Sequence, residues 1–230
     1  MSDFEMQRGA VYLVPTPIGN LLDFAPRSVE TLKRVDYILA EDTRTTGKLM
    51  KHFGIETTLK AHHQHNEHRG IPGWISALKT GQTLGVCSDA GTPGISDPAF
   101  LLVRACKAAG VEVTSLPGAT AFVPALTNSG LPASRFTFEG FIPLKKGKKT
   151  LMESLANEER TMIFYESPMR LVKTLELFAT HFGADRQASV SRELTKIYEE
   201  NISNSLANLI THFSSKQVKG EIVIVVDGKP

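Results

Sequence analysis

Thr83-Leu84-Gly85-Val86-Cys87-Ser88-Asp89-Ala90-Gly91-Thr92-Pro93-Gly94-Ile95-Ser96-Asp97-Pro98 is the stretch on which the fold turns. Its first five residues form a short apolar run that predicts a buried strand. The run breaks into a loop of small residues, glycines and prolines, where no ladder can continue. Phe100–Ala109 follows with helical character and Gly110 just past its end, then a second apolar run at Val111–Leu116, closed by Pro117-Gly118. A strand, a rigid loop, a helix and another strand make one crossover unit, which predicts parallel pairing.

The same rhythm extends towards the N-terminus. Ala10–Val14 (AVYLV) reads as a buried strand stopped by Pro15-Thr16-Pro17. Pro26 stands where a first helical turn tolerates it, ahead of Val29, Leu32 and Val35. Asp36–Ala40 predicts a second strand, Thr43–Phe53 a helix ending at Gly54, and Thr58–His63 a third strand. A short helix is predicted near Trp74–Lys79. Beyond residue 121 the pattern changes. Phe136, Phe138 and Phe141 alternate with polar residues or glycine, predicting a strand exposed on one face. Met162–Tyr165 and Gln187–Ser191 read as strands flanking a helix at Leu171–Phe182. A helix at Leu206–Phe213 and a buried strand at Glu221–Val226 close the chain. A boundary is therefore expected within 121–134, between a mainly parallel α/β half (1–121) and a mixed α/β half (122–230). No internal repeat or low-complexity tract appears.

Composition narrows the function. The chain has 230 residues, 41% of them hydrophobic, enough for a full core. Lys and Arg number 26 against 24 Asp and Glu, a net charge of +2 that excludes a polybasic tail protein but not a local basic patch. Two cysteines, Cys87 and Cys106, are too few for a disulfide framework. Met1–Arg8 carries Asp3 and Glu5 and resembles no signal peptide, and no apolar run approaches the roughly 20 residues of a membrane span. A soluble, cytoplasmic protein is expected. G-x-x-x-x-G-K-[ST], G-x-G-x-x-G and G-x-S-x-G are all missing, which argues against a P-loop kinase, a nicotinamide dehydrogenase and a serine hydrolase.

Several polar groups sit at predicted strand ends, where open α/β sheets bind ligands. Glu41-Asp42-Thr43-Arg44 closes the second strand. Asp42 suits a helix cap, and Arg44 suits a phosphate oxygen. His62, His63, His65 and His68, with Asn66 and Glu67, match no closed zinc spacing, so no metal is expected; His65 and Asn66 are candidates for a ribose or base. Lys145-Lys146-Gly147-Lys148-Lys149 precedes a helix and suits either solvent or an RNA backbone. Tyr165 to Arg170 and Arg192 to Lys196 place carboxylates and guanidiniums together at strand ends. They are readable as structural ion pairs or as groups with perturbed pKa values.

Taken as a series, TPIGN (16–20), EDTR (41–44), HNE (65–67), SDAGTPGISDP (88–98), PGATA (117–121), FTFEGFIP (136–143), YESPMR (165–170), RELTK (192–196) and KGE (219–221) resemble the ribosomal RNA small subunit methyltransferase I family. This is a branch of the tetrapyrrole (precorrin) methylase superfamily. The resemblance covers nearly the whole chain. It implies two α/β domains with S-adenosylmethionine in the cleft between them, a homodimer, and transfer of a methyl group to the ribose 2′-oxygen of a cytidine in 16S ribosomal RNA, free or within the 30S subunit. By similarity, Pro17, Gly19, Ser88, Asp89, Ala90, Thr92, Ile95, Thr120, Ala121, Tyr165 and Leu194 would contact the cofactor.

For the reaction the expectation is that Glu193, or Glu166 in its place, accepts the ribose proton and Lys196 stabilises the developing alkoxide. Arg44, Arg170 and Arg192 would hold phosphates, with Lys145 and Lys146 adding attraction. Met169 stands where relatives often have histidine, and Gly94 and Ala99 depart from the loop pattern. Many relatives also carry a further C-terminal segment. Two other readings stay open on these residues: a methylase of a tetrapyrrole, and an RNA-binding assembly factor that holds the cofactor without turnover.

Overall fold

The computed structural model describes residues 5–64 and 66–229. The chain divides into two compact units, Met1–Thr120 and Ala121–Pro230. In the first, β1 (Val11–Leu13), α1 (Pro26–Arg34), β2 (Tyr37–Ala40), α2 (Thr43–His52), β3 (Leu59–Ala61), α3 (Glu67–Lys79), β4 (Leu84–Cys87), α4 (Phe100–Ala108) and β5 (Val113–Ser115) alternate along the chain. All five strands pair in parallel, in the order β3-β2-β4-β1-β5. Every strand therefore delivers its C-terminal loop to the same edge.

Period-two alternation sorts the core. Ala10, Tyr12 and Val14 face one side of the sheet with Leu32, Val35 and Met50 of the α1 and α2 segments, whereas Val11 and Leu13 face the other with Leu78, Leu102 and Cys106 of α3 and α4. Gly85 lets α1 sit close on β4, since a Cβ there would lie 2.8 Å from Leu32 Cδ2.

The third helix is longer than its sequence predicts, beginning at Glu67 and running through Pro72. Pro72 removes one helical hydrogen bond, but Ile71, Trp74, Ile75 and Leu78 form an apolar stripe packed into the core, and that burial holds the turn.

The second unit contains α5 (Phe122–Ser129), β6 (Phe136–Phe141), α6 (Lys148–Leu155), β7 (Thr161–Glu166), α7 (Leu171–Phe182), β8 (Gln187–Arg192), β9 (Glu200–Ser205), α8 (Leu206–Ser214) and β10 (Ile222–Val226). Its sheet runs β6-β7-β10-β8-β9, parallel only between β6 and β7, hence mixed. Phe164, Phe178 and Phe213 are buried in one core with α6, α7 and α8, and α5 packs against β7 to β10. Burying each such ring contributes about 1.5–3 kcal/mol.

Two elements were absent from the sequence expectation. One is β9, a polar edge strand (ENISNS) with no β-branched run to signal it beyond Ile202; the other is α5. Among the described residues no helix is long and apolar enough to cross a membrane.

Candidate functional site

Three loops leave the C-terminal edge of the first sheet from neighbouring strands, and hydrogen bonds fasten them together. Thr16 and Gly91 exchange backbone bonds of 2.9 and 3.0 Å, joining the β1 loop to the β4 loop. Thr16 Oγ1 donates to the Ser88 carbonyl at 3.2 Å, and Ser88 Oγ donates to the carbonyls of Ala90 and Gly91. On the far side Thr92 Oγ1 donates to the Ala119 carbonyl at 3.0 Å and lies 2.6 Å from Thr120 Oγ1, tying β4 to β5. Gly118 is essential to this closeness, because a Cβ there would stand 2.6 Å from Pro15 Cβ. Gly91 has φ +82°, a conformation that side chains resist. The result is a fixed cradle with Gly19, Asp89 and Ala90 exposed, Pro17, Ile95 and Thr120 half-buried, and Ser88 spent on loop geometry. Ala121, the first residue of the second unit, follows Thr120 and is the N-cap residue of α5.

Beside this cradle carboxylates gather. Asp42 caps α2, accepting from Arg44 N–H at 2.8 Å, and the Arg44 guanidinium grips it through Nε and Nη2 at 3.1 and 2.7 Å. That pairing holds the Asp42 carboxyl down at about 2. Arg44 nevertheless stays 87% exposed, so its outer face is available to a phosphate. Asp89 accepts from Asp42 N–H, and Glu41 from Asp89 N–H. Burial raises the Glu41 pKa, with the Asp89 charge adding to it against the Asp89 N–H and His63. Asp97 is pushed up to about 6 by burial, then by the charges of Glu41 and Asp89 against a hydrogen bond from Ser88.

Glu41, Glu67 and Asp97 line a cavity of about 240 Å³ with Gln64, Ser96 and Phe100. Sequence reasoning passed over Asp97, Glu67 and Phe100 as a group; the signal available was a carboxylate ending a glycine–proline loop.

His65 lies outside the described residues. The Asn66 side chain is engaged by its own loop, its Oδ1 accepting from His63 N–H at 2.8 Å and its Nδ2 donating to the Ala61 carbonyl at 3.0 Å. Expected to face a ribose or base, Asn66 holds the turn of its own loop in this structure. No group of three or more His, Cys, Asp or Glu among the described residues is placed to hold a metal ion.

In the second unit the strand-end charges bind one another. Glu166 is buried at the end of β7, where its oxygens accept from Ser167 N–H and Thr174 Oγ1, both at 2.6 Å, and Arg170 Nη2 pairs with Oε1 at 2.6 Å. Only 1% of its side chain is exposed, and these bonds make Glu166 a lock on the turn after β7. Arg192 is likewise committed, to Glu200 at 3.0 Å and to the Lys219 carbonyl at 3.1 Å.

Glu193 sits at φ +52° and accepts from Lys196 Nζ at 2.8 Å and Glu221 N–H at 3.0 Å. The lysine bond, chiefly, holds its pKa below the usual carboxylate range, which makes it a weak proton acceptor. Burial works against the Lys196 charge, but bonds to Glu193 and Glu221 outweigh it and raise that pKa. Two of the three ammonium hydrogens are thereby used and one remains. Leu194 is buried, Tyr165 packs edge-on to Phe138 and Phe141, and Lys145 and Lys146 are exposed.

Residues 10–210 match the family of tetrapyrrole (corrin/porphyrin) methylases. A curated relative, ribosomal RNA small subunit methyltransferase I of Synechocystis sp., is 49% identical over 96% of this chain and 79% of its own. Its counterpart in Xylella fastidiosa (strain Temecula1) is 50% identical over 96% and 82%. The chain belongs to the ribosomal RNA small subunit methyltransferase I family of the tetrapyrrole methylases. That membership spans both units, including the cradle and the Glu193–Lys196 turn. Among solved structures, uroporphyrin-III-C-methyltransferase from Thermus thermophilus superposes with a TM-score of 0.66, covering 96% of this chain and 95% of the other at 17% identity. At that identity the likeness speaks for the tetrapyrrole-methylase fold alone.

Proposed function

We propose that the chain is an S-adenosylmethionine-dependent methyltransferase acting on the ribose 2′-oxygen of a cytidine in small-subunit ribosomal RNA. The observation that carries this is the 49% identity to a ribosomal RNA small subunit methyltransferase I across 96% of the chain. The three fastened loops support it: a glycine–proline cradle whose exposed backbone is fixed in advance suits a cofactor that must be aligned and not merely held. The cofactor supplies an electrophilic methyl group on a sulfonium; Pro17, Gly19, Asp89, Ala90, Thr92 and Thr120 orient it, and Ser88 and Ile95 shape the loop.

Lys196, kept charged by its two carboxylates, offers its remaining N–H to an oxygen gaining negative charge. Glu193 positions Lys196, and the proton of the ribose hydroxyl leaves to water as the new O–C bond forms. The outer face of Arg44, with Lys145 and Lys146, attracts phosphates and makes binding weaken as salt rises. Arg170 and Arg192 act indirectly, by holding Glu166 and Glu200. We further propose 1–121 and 122–230 as the two domains of a cytoplasmic homodimer, with ribosomal RNA or the 30S subunit as partner.

The test is transfer of labelled methyl from S-adenosylmethionine to small ribosomal subunits purified from cells lacking the gene. Label on a cytidine 2′-oxygen is the expected result. Cofactor binding without label in RNA overturns the reading.

A further inference from the structure

Resting on that reading, we propose that the cavity lined by Glu41, Glu67, Asp97 and Phe100 receives an unstacked nucleobase bearing an exocyclic amino group beside a ring-nitrogen acceptor, the edge presented by cytosine or adenine. Four observations converge. The cavity, about 240 Å³, lies below the roughly 300–1,000 Å³ of pockets for drug-sized ligands and suits one flat group. One wall is Phe100, a large aromatic left 64% exposed, with the Arg104 guanidinium 5.3 Å from its ring centroid. An exposed ring held in place beside a cation is the platform on which single-stranded bases stack.

The third observation is Glu67. Only 8% of its surface is exposed, it lines the cavity, and among the described residues its carboxylate has no hydrogen bond or ion pair. Its carboxylate opens onto the cavity, where a ligand amino group would replace water as its donor. The fourth is the sign of the lining. Three carboxylates repel phosphate, so this is a place for the base and not the backbone, which the outward face of Arg44 serves on the neighbouring turn.

Donor and acceptor requirements then select the base. Asp97, raised to about 6 by burial and by the Glu41 and Asp89 charges, against its Ser88 hydrogen bond, carries a proton for part of the time near neutrality. In that form it donates to a ring nitrogen while a neighbouring carboxylate accepts from the amino group, as Glu and Asp do from cytosine N4. Uracil reverses both groups and sets its carbonyl against a carboxylate.

The experiment measures binding of fluorescent RNA hexamers with a central cytosine, adenine, uracil or 2-pyrimidinone (cytosine without its amino group). Wild type is compared with Glu67→Gln and Asp97→Ala, each checked for S-adenosylmethionine binding. Wild type is expected to prefer cytosine or adenine over uracil and 2-pyrimidinone by about tenfold or more, and both variants to flatten that preference. Equal binding of all four hexamers, no binding of any, or a preference unchanged in both variants overturns the proposal. Base preference is read here without turnover, so a wild type that shows it yet labels no ribosomal RNA would refute the methyltransferase reading separately.

Discussion

Lys196 Nζ bridges two carboxylates, donating to Glu193 Oε1 at 2.8 Å and to Glu221 Oε2 at 3.0 Å. Gly220 makes this possible: it adopts φ +92°, and a Cβ on it would collide with the Glu193 carboxyl group. The lysine is thereby fixed as a cation with one hydrogen to spare. Lys196→Ala should lower kcat about 10²-fold, the usual cost of one transition-state donor, while S-adenosylmethionine affinity by calorimetry changes little. Equal kcat in the variant would remove Lys196 from the chemistry.

The approach of Gly118 to Pro15 yields a second expectation. Gly118→Ala pushes the β5 loop away from the β1 loop, since the new methyl would lie 2.6 Å from Pro15 Cβ. Cofactor affinity should fall by roughly tenfold or more, as a displacement near 1 Å spoils a fixed cradle. Circular dichroism should show the fold retained.

Asp97 sets a pH dependence of stability. Its folded pKa of about 6 lies above the ordinary 3.8, so the folded state holds the proton more tightly. Unfolding therefore becomes easier as pH rises between about 4 and about 6, and the penalty persists above that. Asp97→Asn should raise Tm at pH 7.5 and leave it nearly unchanged at pH 4, measured by differential scanning calorimetry. A variant less stable at pH 7.5 would contradict the account.

Glu166 should behave as a structural residue. Glu166→Ala strands Arg170, Thr174 and the Ser167 N–H, and loss of one partner of such a pair costs about 2–4 kcal/mol, allowing for the partial exposure of Arg170. Urea denaturation should reveal this as a lowered midpoint. A catalytic base would instead lower kcat at unchanged stability.

Much of the fold was legible because strand and helix periods differ. Alternating Ala10, Tyr12 and Val14 announce a two-faced buried strand, and the glycines and prolines after Val14, Cys87 and Leu116 announce where strands stop. Sheet order was not legible, because β1 lies between β4 and β5, far along the chain. The cradle loops were legible as loops, and the shared motifs pointed to the family. The fates of individual charges were not. Asn66, Glu166 and Arg192 bond mainly to their own loops or to strand neighbours, and only tertiary geometry decides whether a polar group is spent locally or left for a ligand. Glu67 is the reverse case, a residue beside a histidine-rich loop whose burial against the cavity appears only in three dimensions.

The most direct test of the central claim is mass-spectrometric mapping of ribose methylation in small-subunit ribosomal RNA from cells with and without this gene. The account expects one cytidine 2′-O-methyl group to vanish on deletion and to return with the wild-type chain but not with Lys196→Ala. An unchanged set of ribose methyl groups would contradict it.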